Sequence, residues 1–327
     1  MKKILLAIVL LGTSIFAFGQ DIHFSQFNAS PLTLNPALAG KLSCTYRAAL
    51  NYRNQWNSIP APYVTYSGSF DAALWKEKLG GDAVGLGLLI YNDVSGDGNL
   101  SNLNLSMFLA YHKALGEGHL LSAGFQASYV QRSVDLFKLV FPNQIGANGI
   151  DLGLPNNEPL DDAHNYLDLS AGLHWSSIIS DNFSFNIGGA YYHLLEPVES
   201  FNDDTKSTLP SRYVAHGGFT AGLSEQFSLS PSFLYMTQAG TSEINVGTAL
   251  GYHTDGAVLY FGTWYRVKDA IIALVGLEFQ NLLFGFSYDV SVSEVAQASN
   301  NKGGFELSLT YNGCIATKTK VHHCPKF

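Results

Sequence analysis

The 327-residue chain carries a formal charge of −8, with charged residues at only 13% and aromatics also at 13%. That charged fraction, well under the roughly 25% of soluble domains, is too small to cover a soluble surface of this size, and the acidic balance gives no support to nucleic-acid binding. Beyond residue 19 the purely apolar runs, "AIIALVGL" (270–277) among them, are no longer than nine residues, far short of the roughly 20 residues of a membrane helix. What remains is an all-β chain: a transmembrane antiparallel β-barrel in contact with outer-membrane lipid.

In chain order, residues 1–19 read as a signal peptide, with Lys2 and Lys3 ahead of an apolar run from Ile4 to Phe18. Ala17-Phe18-Gly19 places small residues at the two positions a signal peptidase reads, so cleavage is expected before Gln20. A retained anchor helix is the alternative, and the shortness of the run argues against it. The remaining chain holds 16 Lys and Arg (18 less Lys2 and Lys3) against 26 acids, or −10.

Residues 20–42 come next, and "FSQFNASPLTLNPALAG" (24–40) fits neither helix nor strand. Pro31 and Pro36 bias the residues before them away from helix, Asn35-Pro36 starts a turn, and Gly40 permits a left-handed bend. The apolar set Phe24, Phe27, Leu32, Leu34 and Leu38 is costly to leave in water. This segment is therefore expected to fold into the periplasmic mouth or lumen of the barrel.

The barrel itself is expected over 43–313, as about fourteen strands. They lie near 43–53, 62–74, 82–92, 100–113, 119–132, 166–177, 183–195, 211–223, 226–238, 243–253, 257–267, 270–280, 282–292 and 303–313. In "NLNLSMFLAYHK" (102–113), Leu103, Leu105, Met107, Leu109 and Tyr111 share one face, with Asn102, Asn104, Ser106 and His112 on the other. Connections after even-numbered strands are short and those after odd-numbered strands mostly long, as in barrels with both termini in the periplasm. "QAGTS" and "KDA" are the short exceptions. The excursion at 133–165 is too long for a hairpin loop, and its apolar part "LFKLVFPNQIG" suits either a lumen constriction or a partner-binding surface.

Residues 314–327 form the tail. Cys314 and Cys324 are the first-choice disulfide in an oxidising periplasm, while a bridge to Cys44 or free thiols stay open. "HHC" (322–324) lacks a second pair of metal ligands, so no metal or other cofactor is expected. Phosphate loops, nucleophile elbows and HExxH are also missing. His112, His174, His193, His216 and Asp168 fall on polar faces, where any barrel lumen carries such groups, so no catalytic residue is assigned.

The stretch "QDIHFSQFNASPLTLNPALAG" (20–40) resembles the N-terminal signature of the PorP/SprF family of type IX secretion system membrane proteins. Gln20, Asp21, Phe24, Ser25, Gln26, Phe27, Pro31, Leu32, Asn35, Pro36, Ala37, Ala39 and Gly40 occupy the matching places. "YRNQW" (52–56), "YVTYSGSFD" (63–71), "YDVSVSEVAQASNNKGGFELSLTY" (288–311) and the terminal "CPKF" extend the likeness. Ile22-His23 and Leu38 depart from the commoner residues. The resemblance implies a non-enzymatic outer-membrane component of type IX secretion or gliding machinery that supports secretion or anchoring of partners such as surface adhesins. On this reading Phe24, Gln26, Phe27, Pro31, Leu32, Asn35, Pro36 and Gly40 form a plug or partner-binding motif, with outward loops meeting the cargo and the N-terminal segment and tail facing the periplasm. The rival is a general diffusion channel for small solutes, since fourteen strands can enclose a path.

Overall fold

A computed structural model describes residues 21–56, 62–76, 78–147, 149–202, 207–293 and 302–315. The expected signal peptide, Gln20, and the tail with His322, His323 and Cys324 lie outside the described residues.

Alternation of polar and apolar residues at period two builds the wall. The strands are β1 (Tyr46–Gln55), β2 (Tyr63–Leu74), β3 (Ala83–Ser95), β4 (Leu100–Gly116), β5 (His119–Ser133), β6 (Ile145–Gly146), β7 (Gly149–Ile150), β8 (Ala163–Ser180), β9 (Phe183–Tyr192), β10 (Arg212–Gly222), β11 (Phe227–Gln238), β12 (Thr241–Thr254), β13 (Ala257–Arg266), β14 (Ala270–Phe279), β15 (Leu282–Ser291) and β16 (Lys302–Gly313). Fourteen of them close an antiparallel barrel in sequence order, β5 pairing directly with β8, while β6 and β7 pair only with each other. Among the described residues no helix is long and apolar enough to cross a membrane. In β4 the outward residues are Leu103, Leu105, Met107, Leu109 and Tyr111, and the inward ones Asn104, Ser106, Phe108, Ala110 and His112. Turning polar groups inward and hydrocarbon outward is what a lipid-facing barrel requires.

The two ends differ. At one, the connections at 117–118, 181–182, 255–256 and 280–281 are tight; at the other stand 56–62, 134–162, 193–211 and 292–301. We call these the short-turn and long-loop ends. One expected long connection is corrected: β3 and β4 run on until only 96–99 separates them, because Ser95 pairs with Leu100 across a turn in which Gly96 and Asn99 take positive φ. In the excursion at 134–162 the hairpin β6–β7 carries Ile145 and Ile150 exposed.

Pairing of β1 with β16, from Tyr46↔Gly313 to Gln55↔Gly304, closes the barrel. Beside this seam Cys44 is bonded to Cys314, with Cα atoms 4.5 Å apart. This corrects the expected Cys314–Cys324 bridge. The residues just before the first strand and just after the last stand side by side in a closed barrel, so a partner 270 positions away in sequence is adjacent in space.

Candidate functional site

The lumen is filled by the chain's own N-terminal segment. Pro31 opens a single α-helical turn, Pro31–Leu34, and Pro36 a 3-10 turn, Pro36–Leu38. Between them Asn35 is extended, at φ −161° and ψ 125°, as a residue preceding proline should be. Its side chain accepts from the Ala37 amide at 2.9 Å, capping the second turn. Gly40, at φ +71°, then bends the chain toward β1.

The segment does not fold back from the short-turn mouth. Its described part starts at the long-loop end and runs the length of the lumen to the short-turn end, so of the two expected places, mouth or lumen, it takes the lumen. Asp21 sets this course, because its partners stand at long-loop strand ends. Its amide donates to Gln238 Oε1 at 3.1 Å, and its carboxylate meets His193 Nε2 and, at 3.4 Å, Arg212 Nε. His193 reaches Asp168 through Nδ1 at 2.9 Å, so its ring lies between two carboxylates. Burial alone would favour the neutral imidazole, but Asp21 and the hydrogen bonds to Asp168 and Asp21 prevail and raise its pKa to about 9. Burial would likewise raise Asp21, yet His193 and Arg212 outweigh it and hold the carboxyl far below its ordinary range. His23, 3.3 Å from Glu243, is buried among Arg53, Arg266 and Arg212, and both effects push its pKa well below the ordinary value.

One turn further in, the seam strands grip Ser25 and Gln26. Glu306 of β16 accepts from the Ser25 amide at 2.6 Å and the Gln26 amide at 2.9 Å, and pairs with Arg53 of β1. Ser25 Oγ donates to Asp289 of β15 at 2.7 Å and accepts from Arg53 at 2.9 Å and from Arg266. Gln26 spends its whole amide on the wall: Nε2 donates to Ser287 Oγ and to the Glu306 carbonyl, and Oε1 accepts from Ser308 at 2.8 Å. Arg53, Arg266, Asp289 and Glu306 are thus paired with one another across the lumen, as burial of ions demands.

Apolar side chains secure the middle. Phe27 and Leu34 join Tyr192, Val214, Leu234, Trp264 and Ile272 in one cluster; Leu32 and Ala39 join Leu89, Phe108 and Ala110 in another. Each large side chain so buried contributes roughly 2 kcal/mol gross. Phe24 is buried as well.

The stretch Asn35–Gly40 lies on a seat of glycines. A Cβ at Gly172 would fall 2.0 Å from Asn35 Oδ1, one at Gly124 2.4 Å from the Pro36 carbonyl, and one at Gly85 1.8 Å from the Ala39 carbonyl. Glycine inside a strand often marks such close backbone approach. Asn35 is fully buried, its Nδ2 donating to the Leu173 carbonyl at 3.0 Å, to the Gly189 carbonyl at 3.1 Å and toward His216 Nε2 at 3.1 Å. His112 Nε2 donates to the Ala39 carbonyl at 2.9 Å, which fixes its tautomer and leaves Nδ1 to accept from Ser122 at 2.8 Å. The Gly40 amide donates to Asp71 at 2.8 Å, and Arg47 holds that carboxylate with two further bonds.

No curated protein matches the chain. The profile of the family described as type IX secretion system membrane protein PorP/SprF matches residues 16–311. The chain belongs to the PorP/SprF family. As a family member with a closed barrel, it is a membrane component of type IX secretion, and its place is the outer membrane. Among solved structures it is similar to the Pseudomonas putida toluene transporter TodX, at 9% identity over 86% of this chain and 93% of that one, with a TM-score of 0.51. The Ralstonia pickettii toluene transporter TbuX gives 11% identity, 86% and 92% coverage and a TM-score of 0.49. At such identities the likeness is one of fold alone.

All eight motif residues named from the sequence line this PorP/SprF lumen segment: Phe24, Gln26, Phe27, Pro31, Leu32, Asn35, Pro36 and Gly40 are each buried. Of the polar-face residues, His112, His193 and His216 contact the segment directly, Asp168 orients His193, and His174 stacks on His216 at 5.6 Å. Sequence reading missed Arg53, Arg266, Asp289, Glu306 and Asp71, as well as the glycine seat. The signal was present in strand parity: Arg53 and Glu306 share the inward face with Asn51 and Ser308.

Proposed function

We propose that this chain is a sealed, non-enzymatic outer-membrane barrel that serves type IX secretion by receiving or anchoring an exported partner such as a surface adhesin. On this reading the long-loop end faces outward, where it meets the cargo, and the short-turn end faces the periplasm. The observation that carries it is the lumen segment, which spends its polar groups and large apolar side chains on the wall from Asp21 to Gly40. A diffusion channel needs an open aqueous path; a barrel packed with its own chain leaves function to its rim and loops. Membership of the PorP/SprF family supports the assignment to secretion. Catalysis finds no support: His112, His193 and His216 are committed to hydrogen bonds that hold the segment.

The test is purification of the tagged full-length protein from its own cells, with surface display of exported proteins measured in the gene-deleted strain. Co-purification of an exported surface protein or a type IX component, with loss of that display, is expected. A chain that purifies alone and leaves every exported protein at the surface contradicts the proposal.

A further inference from the structure

The excursion at 134–162 folds on its own bonds and yet leaves its apolar side chains uncovered. Gln144 is its hub: its Oε1 accepts from the Phe141 amide at 3.0 Å, its Nε2 donates to the Leu154 carbonyl at 2.8 Å, and its carbonyl accepts from the Asp151 amide at 2.8 Å. Phe141 and Gln144 are buried, the two ends of the loop are joined by Val134 to Asp162, and the loop is tied to neighbouring connections through Asp135 to Gly98 and Asp161 to Phe201. A loop organised this far could have turned its remaining apolar groups inward. Instead Phe137 is 97% exposed, and Ile145, Ile150, Leu152 and Leu154 are exposed as well, Ile145 and Ile150 being cross-strand partners in the small hairpin. Five such side chains exceed the scattered single hydrophobics of an ordinary surface. They belong to the connection between the ends of β5 and β8, not to a strand of the barrel wall.

Charge narrows the choice of occupant. Residues 134–162 hold Asp135, Asp151, Glu158, Asp161 and Asp162 against Lys138 alone, a net −4. Lys138 is itself engaged with Asp135 at 3.5 Å. A second copy of this chain would bring the same acidic face and be repelled. Apolar anchors within an acidic rim suit a polypeptide with apolar side chains between lysines or arginines. We propose that this face of the excursion docks a basic-flanked apolar segment of an exported polypeptide. The inference rests on the partner-docking function proposed above and specifies where and by what chemistry that partner is held.

The test places a photo-crosslinking amino acid at Phe137, at Ile150 or at Leu195 of the neighbouring loop, in the full-length protein in its own cells. Crosslinks from Phe137 and Ile150 to an exported polypeptide are expected, mapping to an apolar stretch flanked by Lys or Arg. Yield should fall at least tenfold in Glu158→Lys/Asp161→Lys/Asp162→Lys, whose side chains make no bonds the loop depends on; folded-barrel gel mobility checks that the variant assembles. Crosslinks to lipid, to another copy of the chain or to an acid-flanked stretch overturn the inference, as does a yield indifferent to charge reversal. Capture of an exported protein from Leu195 but not from Phe137 or Ile150 sinks this inference and leaves partner docking intact. Capture of none from any position overturns both.

Discussion

Gly85→Ala isolates the seating of the lumen segment from everything else in the barrel. Alanine adds one carbon, which would lie 1.8 Å from the Ala39 carbonyl oxygen, and ordinary contact begins near 3.4 Å. Something must move by about 1.6 Å, the difference between those distances. The wall cannot yield easily, because β3 is paired on both sides, Gly85 with Ala73 of β2 and Ala110 of β4. The segment must therefore lift. Lifting lengthens the His112–Ala39 bond of 2.9 Å and the Gly40–Asp71 bond of 2.8 Å beyond hydrogen-bonding range. Two such bonds contribute about 1 kcal/mol each, and leaving their buried partners unsatisfied raises the cost to about 3 kcal/mol in all. At 1.4 kcal/mol per factor of ten, the ratio of seated to unseated segment falls by about 100-fold. Limited proteolysis between residues 21 and 40, measured on folded protein in detergent, reads that ratio directly. Gly68→Ala is the control, since a Cβ there meets nothing nearer than 3.4 Å. Cleavage of Gly85→Ala at the rate of the control would refute the close seating of the segment.

Four further outcomes follow from the same geometry. Glu306→Gln removes the charge that holds the Ser25 and Gln26 amides and leaves Arg53 with Asp289 at 3.7 Å; breaking a buried pair in this way costs about 3 kcal/mol, read as a lower temperature for loss of folded-barrel gel mobility. Segment anchorage at the long-loop end should depend on pH. The raised pKa of His193 gives a contribution fully present below 6.5 and lost as pH rises through about 9, while the depressed pKa of Asp21 keeps its own contribution until pH falls below its ordinary 3.8. Proteolytic release of the segment should thus accelerate between pH 7 and 10, and His193→Gln should flatten that rise. Non-reducing peptide mapping should recover the Cys44 peptide joined to that of Cys314, and Cys44→Ser/Cys314→Ser should lower thermal stability of the barrel, by at most about 5 kcal/mol for so long a loop.

The barrel was legible because its signal is local and repeated: alternation along each strand fixes inward and outward faces, and turn residues mark the ends. Strands placed near 270–280 and 282–292 from alternation became Ala270–Phe279 and Leu282–Ser291. The lumen segment was legible in kind, since apolar residues punctuated by prolines had to be buried somewhere. Its direction was not. That is set by Asp21 meeting Gln238, His193 and Arg212, all roughly 170 or more positions away in sequence, and alternation says nothing about which distant ends converge. A bridge to Cys44 was open from the sequence but stood second to Cys314–Cys324, because nothing local ranks a partner across the closing seam above one ten residues away. The glycine seat is hidden more deeply, because Gly85, Gly124 and Gly172 look like any strand glycines until the backbone above them is placed.

Conductance in planar lipid bilayers tests the central claim, that the chain closes its own barrel. The intact protein is expected to be electrically silent, and the same protein lacking residues 21–40 to show stable, ohmic conductance while keeping folded-barrel mobility. A large, stable open pore formed by the intact protein would contradict the account and return the chain to the class of diffusion channels.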